Sequence, residues 1–243
     1  MSVKAEQTQK RAIRALFTRI AKRYDIVNRV ISLGQDQRWR EVALIAVAAS
    51  DSGRLLDVAT GTGDLALLAR RLYPELQVVG TDLTPAMLEQ AQQKARASEI
   101  GLPWTISDGL ALAFADDSFD AVTSAFMMRN VPDVAQAFAE QARVVRPGGR
   151  VVCLEMSWPR HFLKRWLFGL YFFIVPPLFG FLASGAHAPY RYLPRSVRSF
   201  LEPGALADTM VQAGLHNVTW QARMLGSVVI HTGVKSISPS PNA

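Results

Sequence analysis

The stretch Leu55–Ala66, LLDVATGTGDLA, begins with apolar residues, continues through a turn with two glycines and ends where an amphipathic pattern starts. Such a sequence is typical of a buried strand that turns sharply into a helix. Gly61 and Gly63 let the backbone of the turn approach a ligand closely, and the first turn of the helix presents free N–H groups to it. The stretch therefore predicts a βα unit with a ligand-binding turn.

Strands and helices continue to alternate on both sides of this unit. The patterns predict strands at 54–60, 77–83, 103–109, 119–126 and 149–157 and helices at 64–73, 84–97 and 133–145. They then predict a helix at 202–215 and strands at 217–225 and 227–235. Thr84 and Pro85 mark the start of the helix at 84–97 as N-cap and first-turn residue. This order predicts an α/β fold in a single domain, 1–243, with a Rossmann-like, mostly parallel seven-stranded sheet that ends in a hairpin.

Three regions lie outside this alternation. Residues 10–50 are predicted to form a helical cover, because apolar residues such as Ile13, Leu16 and Phe17 recur at helical spacing between basic ones. Residues 158–200 form an apolar and basic insertion after the fifth strand, and the tail at 236–243 is predicted to be disordered.

The insertion contains a run without charge, Trp166–Ala183. Pro176-Pro177 interrupts this run, which is marginally short for a membrane span. A single crossing at this point would also place two halves of one sheet on opposite sides of a bilayer. A packed core helix and a surface that docks on a membrane and receives a lipid tail remain the two interpretations.

Basic residues are concentrated in the cover and the insertion. The net charge is +7, and residues 1–40 carry ten Lys and Arg against three acidic residues, while residues 158–200 carry six against none. This distribution indicates an anionic partner surface, either membrane or nucleic acid. One cysteine, Cys153, and an N-terminus without an apolar run favour a cytoplasmic protein that is not secreted.

The glycine turn fits two cofactors. Gly61-x-Gly63-x-x-Ala66 with Asp82 after the second strand matches the fingerprint for NAD. However, Asp57 inside the first strand suits the cationic S-adenosylmethionine and would repel a pyrophosphate. Asp108, at the end of the third strand, is placed to accept from an adenine amino group, and the closing hairpin also favours S-adenosylmethionine. The structural alternative for Asp108 is an exposed turn residue, and the alternative for Asp82 is a carboxylate that caps a helix.

Two stretches, YDIVNRVISLGQDQRW (24–39) and RVVRPGGRVVCLEMS (143–157), closely resemble the signature patterns of the ubiquinone/menaquinone biosynthesis C-methyltransferase family. FMMRNVPD (126–133) and YRYLPRSVRSF (190–200) are similar to further parts of it. The resemblance covers roughly residues 16–235. It implies a class I methyltransferase fold and C-methylation of a reduced polyprenyl quinone with S-adenosylmethionine, and it implies cofactor contacts at Thr62, Asp82 and the pair Asp108–Gly109.

The sequence departs from the family pattern at five positions. Asp36 stands where His is usual, Val27 where Met is common and Arg146 where Lys is usual, and Met127-Met128 replaces a Gly followed by Leu or Ile. We expect the two methionines to reshape the acceptor pocket. The resemblance does not separate demethylmenaquinol from the benzoquinol precursor of ubiquinone, and we favour the naphthoquinol.

Three residues are candidates for catalysis. Arg129, after the fourth strand, is expected to stabilise the quinolate oxygen, with a structural ion pair to a buried carboxylate as the alternative. Asn130 is expected either to bind the second ring oxygen or to hold the loop backbone. Tyr24 is expected either to relay a proton or to pack against the cofactor, and Asp25 is a weaker base candidate that fits a helix cap equally well.

The predicted catalytic residues are Arg129, Tyr24 and Asn130. The predicted cofactor-binding residues are Asp57, Gly61, Thr62, Gly63, Asp82, Asp108 and Gly109, and no metal ligand is predicted. The predicted partners are a polyprenyl quinol and an anionic membrane surface, not nucleic acid, and homo-oligomerisation is left open. An NAD-dependent oxidoreductase, a nucleic-acid methyltransferase, a non-catalytic membrane adaptor and a methyltransferase for another lipid-like molecule are the competing interpretations.

Overall fold

One sheet forms the centre of the computed structural model, which describes residues 3–47, 52–159, 162, 166, 168–171 and 188–237. Its strands are β1 Gly53–Val58, β2 Leu76–Asp82, β3 Trp104–Ile106, β4 Phe119–Ala125, β5 Val145–Met156, β6 Leu215–Arg223 and β7 Val228–Lys235. Their order is β3-β2-β1-β4-β5-β7-β6. β7 is antiparallel to both β5 and β6, whereas the other neighbours pair in parallel. The predicted seven-stranded, mostly parallel α/β sheet ending in a hairpin is confirmed.

The described part of the chain contains the helices α1 Val3–Ile20, α2 Tyr24–Ile31, α3 Asp36–Val47, α4 Asp64–Leu72, α5 Pro85–Ala97, α6 Val134–Val144, α7 Ala188–Ser199 and α8 Pro203–Gln212. Short 3-10 turns occupy Ala21–Arg23, Met128–Asn130 and Met224–Gly226. Thr84 precedes α5 as predicted, but its side chain makes no capping hydrogen bond there.

Both faces of the sheet are buried. Leu56 of β1 packs in one core layer with Phe138 of α6, and its neighbour Leu55 packs in the other with Leu44 of α3. Adjacent residues of a strand point to opposite faces, so a central strand covered on both sides must be apolar at consecutive positions. This explains the apolar start of the stretch at 55–66. Cys153 is buried in the first layer, as predicted.

The structure differs from the sequence-based boundaries in three places. The cover is made of three helices, because the chain turns at Ala21–Arg23 and again around Gly34, which has a φ of 75°. The third strand has only three residues, Trp104–Ile106. β5 begins at Val145, before the expected turn, because its pairing with β4 shifts register between Phe119 and Ala121 and absorbs the turn residues.

Part of the insertion and tail lies outside the described residues. In the uncharged run 166–183, only Trp166 and residues 168–171 are described, and they are helical, so the prediction for the double proline falls outside the description. The same holds for residues 238–243 of the tail. Among the described helices, none combines the length and the apolar character needed to cross a bilayer.

Candidate active site

A cleft of about 790 Å³ opens at the carboxyl ends of β1, β2 and β4. From β1 the sheet extends on one side to β2 and β3 and on the other to β4 and β5, so the strand order reverses between β1 and β4. Ligands bind at such a switch point in open α/β sheets. Four of the predicted cofactor residues line this cofactor cleft, namely Gly61, Asp82, Asp108 and Gly109.

Asp82 fastens the glycine turn to the end of β2. Its Oδ2 accepts a hydrogen bond from the N–H of Gly61 at 2.9 Å, and its Oδ1 accepts from the N–H of Thr84 at 2.7 Å. Burial raises the pKa of this carboxyl, although these N–H groups lower it. The second bond is the helix-start role considered as an alternative, so Asp82 combines that role with a position in the cleft.

Asp108 forms an ion pair across the cleft. Its Oδ2 lies 2.8 Å from Nζ of Lys10 in α1, and its Oδ1 accepts from the N–H of Leu110 at 3.0 Å. The ion pair brings α1 over the cofactor cleft, which Phe17 of the same helix also lines. No local motif marks Lys10, and the basic amphipathic pattern of this helix was the only signal that it faces the body.

Met127 lies in the cofactor cleft and Met128 in the core. A Cβ on Gly109 would stand 2.2 Å from Cε of Met127, so the methionine packs directly over this glycine. Met128 is fully buried in the core layer with Phe138. Of the two methionines, only Met127 lines the cleft, and the expectation that they reshape the acceptor pocket stays a prediction.

Three predicted cofactor residues do not line the cleft. Asp57 is buried under the turn, where its carboxylate accepts from the hydroxyls of Thr60 at 2.6 Å and Thr123 at 3.0 Å. Burial raises its pKa to about 6, against the opposing effect of the two hydroxyls. These contacts make Asp57 a support of the turn.

Thr62 and Gly63 are also engaged beneath the turn. The Thr62 hydroxyl donates to Asp25 of α2, and the Thr62 residue is only 2% exposed. Gly63 has a φ of 81°, and a Cβ there would lie 2.8 Å from the ring of Trp104 and 3.0 Å from Ala91. Gly63 is thus required by close packing between α4 and its neighbours, a role distinct from ligand contact.

An ionic network joins the cover to this turn. Nζ of Lys94 in α5 contacts Asp25 of α2 at 2.8 Å and also pairs with Asp64 at the start of α4. Arg40 of α3 reaches Asp64 at 3.8 Å and Asp36 at 2.7 Å. Burial raises the pKa of Asp64, but Arg40 and Lys94 outweigh it and hold the pKa below its usual value. Asp25 therefore connects α2 to α5 through Lys94 and to the glycine turn through Thr62.

Arg129 forms a buried ion pair with Glu155 of β5. The two side chains are 8% and 1% exposed, and Nη1 of Arg129 also donates to the carbonyl of Phe126 at 3.1 Å. Its Nε is buried without a hydrogen-bond partner among the described residues. The structural alternative for Arg129 is thus realised, while one donor of the same guanidinium stays available.

Phe126 holds an unusual conformation beside this pair. Its φ is 59°, in the left-handed region, which costs about 1 kcal/mol for a residue with a side chain. The guanidinium carbons of Arg129 and Arg40 lie 5.5 and 5.7 Å from the centre of its ring, within the range of cation–π attraction. Strained backbone of this kind is concentrated at functional sites.

Asn130 lines the cleft, but both polar atoms of its amide are hydrogen-bonded within the protein and hold the loop. Its Nδ2 donates to the carbonyl of Phe126 at 2.8 Å, and its Oδ1 accepts from the hydroxyl of Tyr192 in α7 at 3.0 Å. The second of the two sequence-based alternatives for Asn130 is the one observed. Tyr192 was missed from the sequence, although it lies in the stretch 190–200 that carries part of the family resemblance.

Tyr24 lies at the meeting point of three cavities. Besides the cofactor cleft, it lines a cavity of about 510 Å³ and another of about 530 Å³. Its ring stacks edge-on against Phe17 at 5.9 Å and stands 4.0 Å from the position of a Cβ on Gly61. Burial raises the pKa of Tyr24, and Asn28 and Arg129 lower it by smaller amounts. Tyr24 is thus close enough to the glycine turn to pack against a bound cofactor.

Solved structures share this fold at low identity. The [4+2]-cyclase SpnF matches with a TM-score of 0.66 and 18% identity over 83% of this chain and 82% of its own. A S-adenosylmethionine-dependent methyltransferase of Thermotoga maritima, described as a possible histamine N-methyltransferase, has a TM-score of 0.63 and 18% identity over 92% of this chain and 100% of its own. A cyclase and a methyltransferase on one scaffold show that the fold alone does not define the reaction.

Sequence relatives are much closer. The demethylmenaquinone methyltransferase of Deinococcus radiodurans is 45% identical over 209 residues, which are 86% of this chain and 87% of the relative. The ubiquinone/menaquinone biosynthesis C-methyltransferase UbiE of Desulfotalea psychrophila is 41% identical over 223 residues, 92% and 90% of the two chains. A model of the ubiE/COQ5 methyltransferase family matches residues 3–235. With the methyltransferase fold and the two acids of the cofactor cleft, this match identifies the chain as a member of the ubiE/COQ5 methyltransferase family.

Proposed function

We propose that this chain methylates a ring carbon of a reduced polyprenyl quinone, with S-adenosyl-L-methionine as methyl donor and demethylmenaquinol as acceptor. Membership of the family supports the reaction class, and the name of the Deinococcus radiodurans relative supports the naphthoquinol. The observation that carries the proposal is that Arg129 and Tyr24 line the same two cavities, while Tyr24 also lines the cofactor cleft.

The cofactor cleft fits the donor in chemistry. Asp82 has lone pairs for ribose hydroxyls, and Asp108 can accept from an adenine amino group once Lys10 moves aside. Gly61 lets the backbone approach the ligand, and Asp57 under the turn provides a negative charge that favours a cation. The bound donor supplies a methyl group that its positive sulfur already activates.

Arg129 is proposed to favour the ionised acceptor. A phenolic hydroxyl has a pKa near ~10 and is protonated at neutral pH, so a neighbouring positive charge is needed to populate the anion. Glu155 offsets part of the charge of Arg129, and the unpartnered Nε provides a donor for the ring oxygen. Burial raises the pKa of Tyr24 and keeps its hydroxyl protonated, so Tyr24 relays the proton: its oxygen takes up the proton of the acceptor as its own proton leaves to solvent. Asn130 and Tyr192 hold the loop of Phe126 in place.

The bond changes follow from this arrangement. The ring carbon next to the ionised oxygen forms a bond to the methyl carbon as the carbon–sulfur bond breaks, and S-adenosylhomocysteine is left. That ring carbon then releases its hydrogen as a proton, which restores the aromatic ring. The acceptor must lie in line with the breaking bond, and the residues around Tyr24 and Phe126 are proposed to orient it.

The decisive experiment measures the reaction itself. The purified chain is incubated with donor and either reduced demethylmenaquinone or the reduced benzoquinone precursor, and products are analysed by mass spectrometry. We expect a gain of one methyl group on the naphthoquinol at the higher kcat/KM. The family name of the Desulfotalea psychrophila relative covers both pathways, so preference for the benzoquinol would move the assignment to the ubiquinone branch. No methylation of either quinol would refute the acceptor class.

Ligand binding separates the methyltransferase from the oxidoreductase. We expect S-adenosylhomocysteine at 100 times its Kd to stabilise the folded chain by about 2.7 kcal/mol and so raise its Tm, because it binds only the native state. NADH is the control and should leave the Tm unchanged. Stabilisation by NADH alone would contradict the proposed cofactor.

Peripheral membrane docking is part of the proposal. Phe162, Trp166 and Leu170 are 81%, 59% and 49% exposed, and each is in helical conformation. They are four residues apart in the sequence, a spacing typical of one helix face, and we call these three residues the apolar stripe. Exposed basic residues lie on α1, on the 3-10 turn Ala21–Arg23 and on α7, among them Arg19, Lys22 and Arg195. An apolar stripe with basic neighbours suits the surface of an anionic membrane.

Changing Trp166→Asp together with Phe162→Asp tests the stripe. We expect the double variant to lose most co-sedimentation with vesicles of phosphatidylglycerol and phosphatidylethanolamine, because charges replace the inserted side chains. The exposed Ile237→Asp is a matched control outside the stripe and should bind as the wild type does. Equal binding by the stripe variant would remove these residues from the docking surface.

A further inference from the structure

Two cavities meet the cofactor cleft at Tyr24 but differ in chemistry. The aromatic cavity, of about 510 Å³, is lined by Trp39, Phe126, Phe168 and Tyr171 together with the polar side chains of Ser32 and Asp36. The aliphatic cavity, of about 530 Å³, is named for its five aliphatic side chains, Leu16, Ile20, Val27, Ile31 and Leu193. Its other lining residues are Phe17, Tyr24, Asn28, Arg129, Asn130 and Tyr192.

The two cavities are continuous with one another. Asn28, Ile31, Arg129 and Leu193 line both of them, as does Tyr24. Arg129 is thus at the neck between an aromatic space and an aliphatic one. A molecule with an aromatic head and a hydrocarbon tail can extend through both cavities with its polar atoms near the guanidinium group.

Contact with the donor is possible at one wall of the aromatic cavity. Tyr24 and Phe126 are the residues that line both this cavity and the cofactor cleft. The left-handed φ of Phe126 and the two guanidinium groups over its ring hold this wall in position. A methyl group that passes from the cleft to the aromatic cavity must pass these two side chains.

The geometry of a prenylated quinol matches this arrangement. In demethylmenaquinol the carbon that receives the methyl group is bonded to the carbon that carries the tail and to a carbon that carries a hydroxyl. The reacting carbon, the tail attachment and the oxygen must therefore be close together. Tyr24 and Arg129 join the cofactor cleft, the aromatic cavity and the aliphatic cavity within a similarly small region.

We propose that the aromatic cavity binds the quinol ring, that the aliphatic cavity binds the isoprene units of its tail beyond the first, and that Phe126 and Tyr24 form the passage for the methyl group. This assignment rests on the proposed function. It makes Trp39, Phe168 and Tyr171 ring-binding residues, and it makes Leu16, Ile20 and Val27 tail-binding residues.

Two matched variants test the assignment, because each fills one cavity only. Leu16 lines the aliphatic cavity and Met156 the aromatic cavity, and both side chains are half-buried, so larger side chains can be accommodated. The kcat/KM of Leu16→Trp and Met156→Trp is measured with demethylmenaquinols that carry one or four isoprene units. S-adenosylhomocysteine should raise the Tm of both variants as it does for the wild type, which shows that fold and cofactor cleft are intact.

We expect Leu16→Trp to lower kcat/KM at least tenfold for the four-unit quinol and less than threefold for the one-unit quinol. Met156→Trp should lower it at least tenfold for both acceptors. Equal losses of the two acceptors in Leu16→Trp, or a loss confined to the long tail in Met156→Trp, would overturn the assignment.

A binding measurement distinguishes a failure of the cavity assignment from a failure of the proposed function. If the wild type methylates neither quinol, the proposed function fails, and equilibrium dialysis with radiolabelled farnesol still tests the tail cavity. We expect Leu16→Trp to bind farnesol at least fivefold more weakly than the wild type and Met156→Trp to bind it equally well. Equal affinity of all three proteins would refute the tail cavity.

Discussion

Asp57 shows how one buried carboxylate links stability to the cofactor turn. Its pKa is raised to about 6, from an ordinary value of 3.8, so the folded state holds this proton more tightly than the unfolded chain does. The stabilising contribution of the protonated form is therefore complete below about pH 4 and is lost as the pH rises to about 6. At neutral pH the ionised carboxylate costs about 3 kcal/mol of folding free energy.

We expect Asp57→Asn to be more stable than the wild type by roughly 1–3 kcal/mol at pH 7.5, since the neutral amide avoids this cost and the hydroxyls of Thr60 and Thr123 can reorient. The affinity for S-adenosylhomocysteine should fall about tenfold, because a negative charge under the turn is lost. Urea unfolding at pH 4.5 and 7.5 and calorimetric titration measure both effects. An unchanged pH dependence of stability would contradict the raised pKa.

Arg129 combines a structural and a catalytic role that substitution can separate. Arg129→Met should destabilise the fold by about 3–5 kcal/mol, because Glu155 is left buried without its partner. The double variant Arg129→Met/Glu155→Leu should recover most of this stability, since both charges are removed together.

Turnover should not recover in the double variant, and we expect a loss of at least 100-fold, equivalent to about 3 kcal/mol of transition-state stabilisation. Urea unfolding measures the stability, and methyl transfer to the quinol measures the turnover. If the double variant regained wild-type activity, Arg129 would serve the fold alone.

At the scale of elements, Lys94 connects α5 to the cover and to the glycine turn. It contacts Asp25 of α2 and Asp64 of α4, and the three side chains are between 12% and 32% exposed. We expect Lys94→Met to loosen α2, because two carboxylates then face each other with fewer cations. Tryptic cleavage after Lys22 or Arg23 should become several-fold faster, and S-adenosylhomocysteine should bind more weakly.

Arg96→Met is the matched control for this experiment. Arg96 is an exposed cation on the same helix, two residues along, so its removal changes the net charge equally. Time courses of limited proteolysis compare the two variants with the wild type. Identical cleavage rates for both would show that the Lys94 contacts do not hold the cover.

At the scale of the whole molecule, the uneven charge should control membrane association. The net charge is +7 with a pI of about 9.9, and exposed basic residues are concentrated on the helices that cover the site. We expect binding to vesicles with phosphatidylglycerol to fall at least tenfold between 50 and 300 mM salt, because the Debye length shortens to below about 8 Å. Co-sedimentation measures the bound fraction.

Neutral phosphatidylcholine vesicles provide the comparison. Their binding should be weak and nearly independent of salt, since only the apolar stripe contributes. Salt-independent binding to the anionic vesicles would show that charge does not steer the chain to the membrane.

Most of the fold could be predicted because its signals are local. Leu55 and Leu56 are apolar at consecutive positions because the strand is covered on both faces, and Gly63 has the left-handed φ that its turn requires. The predicted strand boundaries are wrong where local signals compete with tertiary contacts. The turn before residue 149 became part of β5 because Val145 pairs with Phe119 of β4 and so extends the strand across it.

The candidate site could be predicted only in part. Asp82 and Asp108 follow strands whose carboxyl ends meet at one edge of the sheet, so their position in the cofactor cleft follows from topology. Thr62 and Gly63 belong to the glycine turn, but neither lines the cleft. The Thr62 hydroxyl donates to Asp25, and Gly63 packs against Trp104. Motif membership specifies a backbone path and leaves the direction of individual side chains to their neighbours.

The amino-acid sequence by itself determined the alternating fold, the glycine turn, the acids at the strand ends and the family, because each is recorded in a few adjacent residues. The tertiary structure alone decided which distant side chains meet. Lys10 and Asp108 are 98 residues apart and Lys94 and Asp25 are 69 apart, yet each pair lies within 2.8 Å. Pairing of β4 with β5 brings Arg129 to Glu155, whereas packing of the cover on the sheet forms the three cavities at Tyr24.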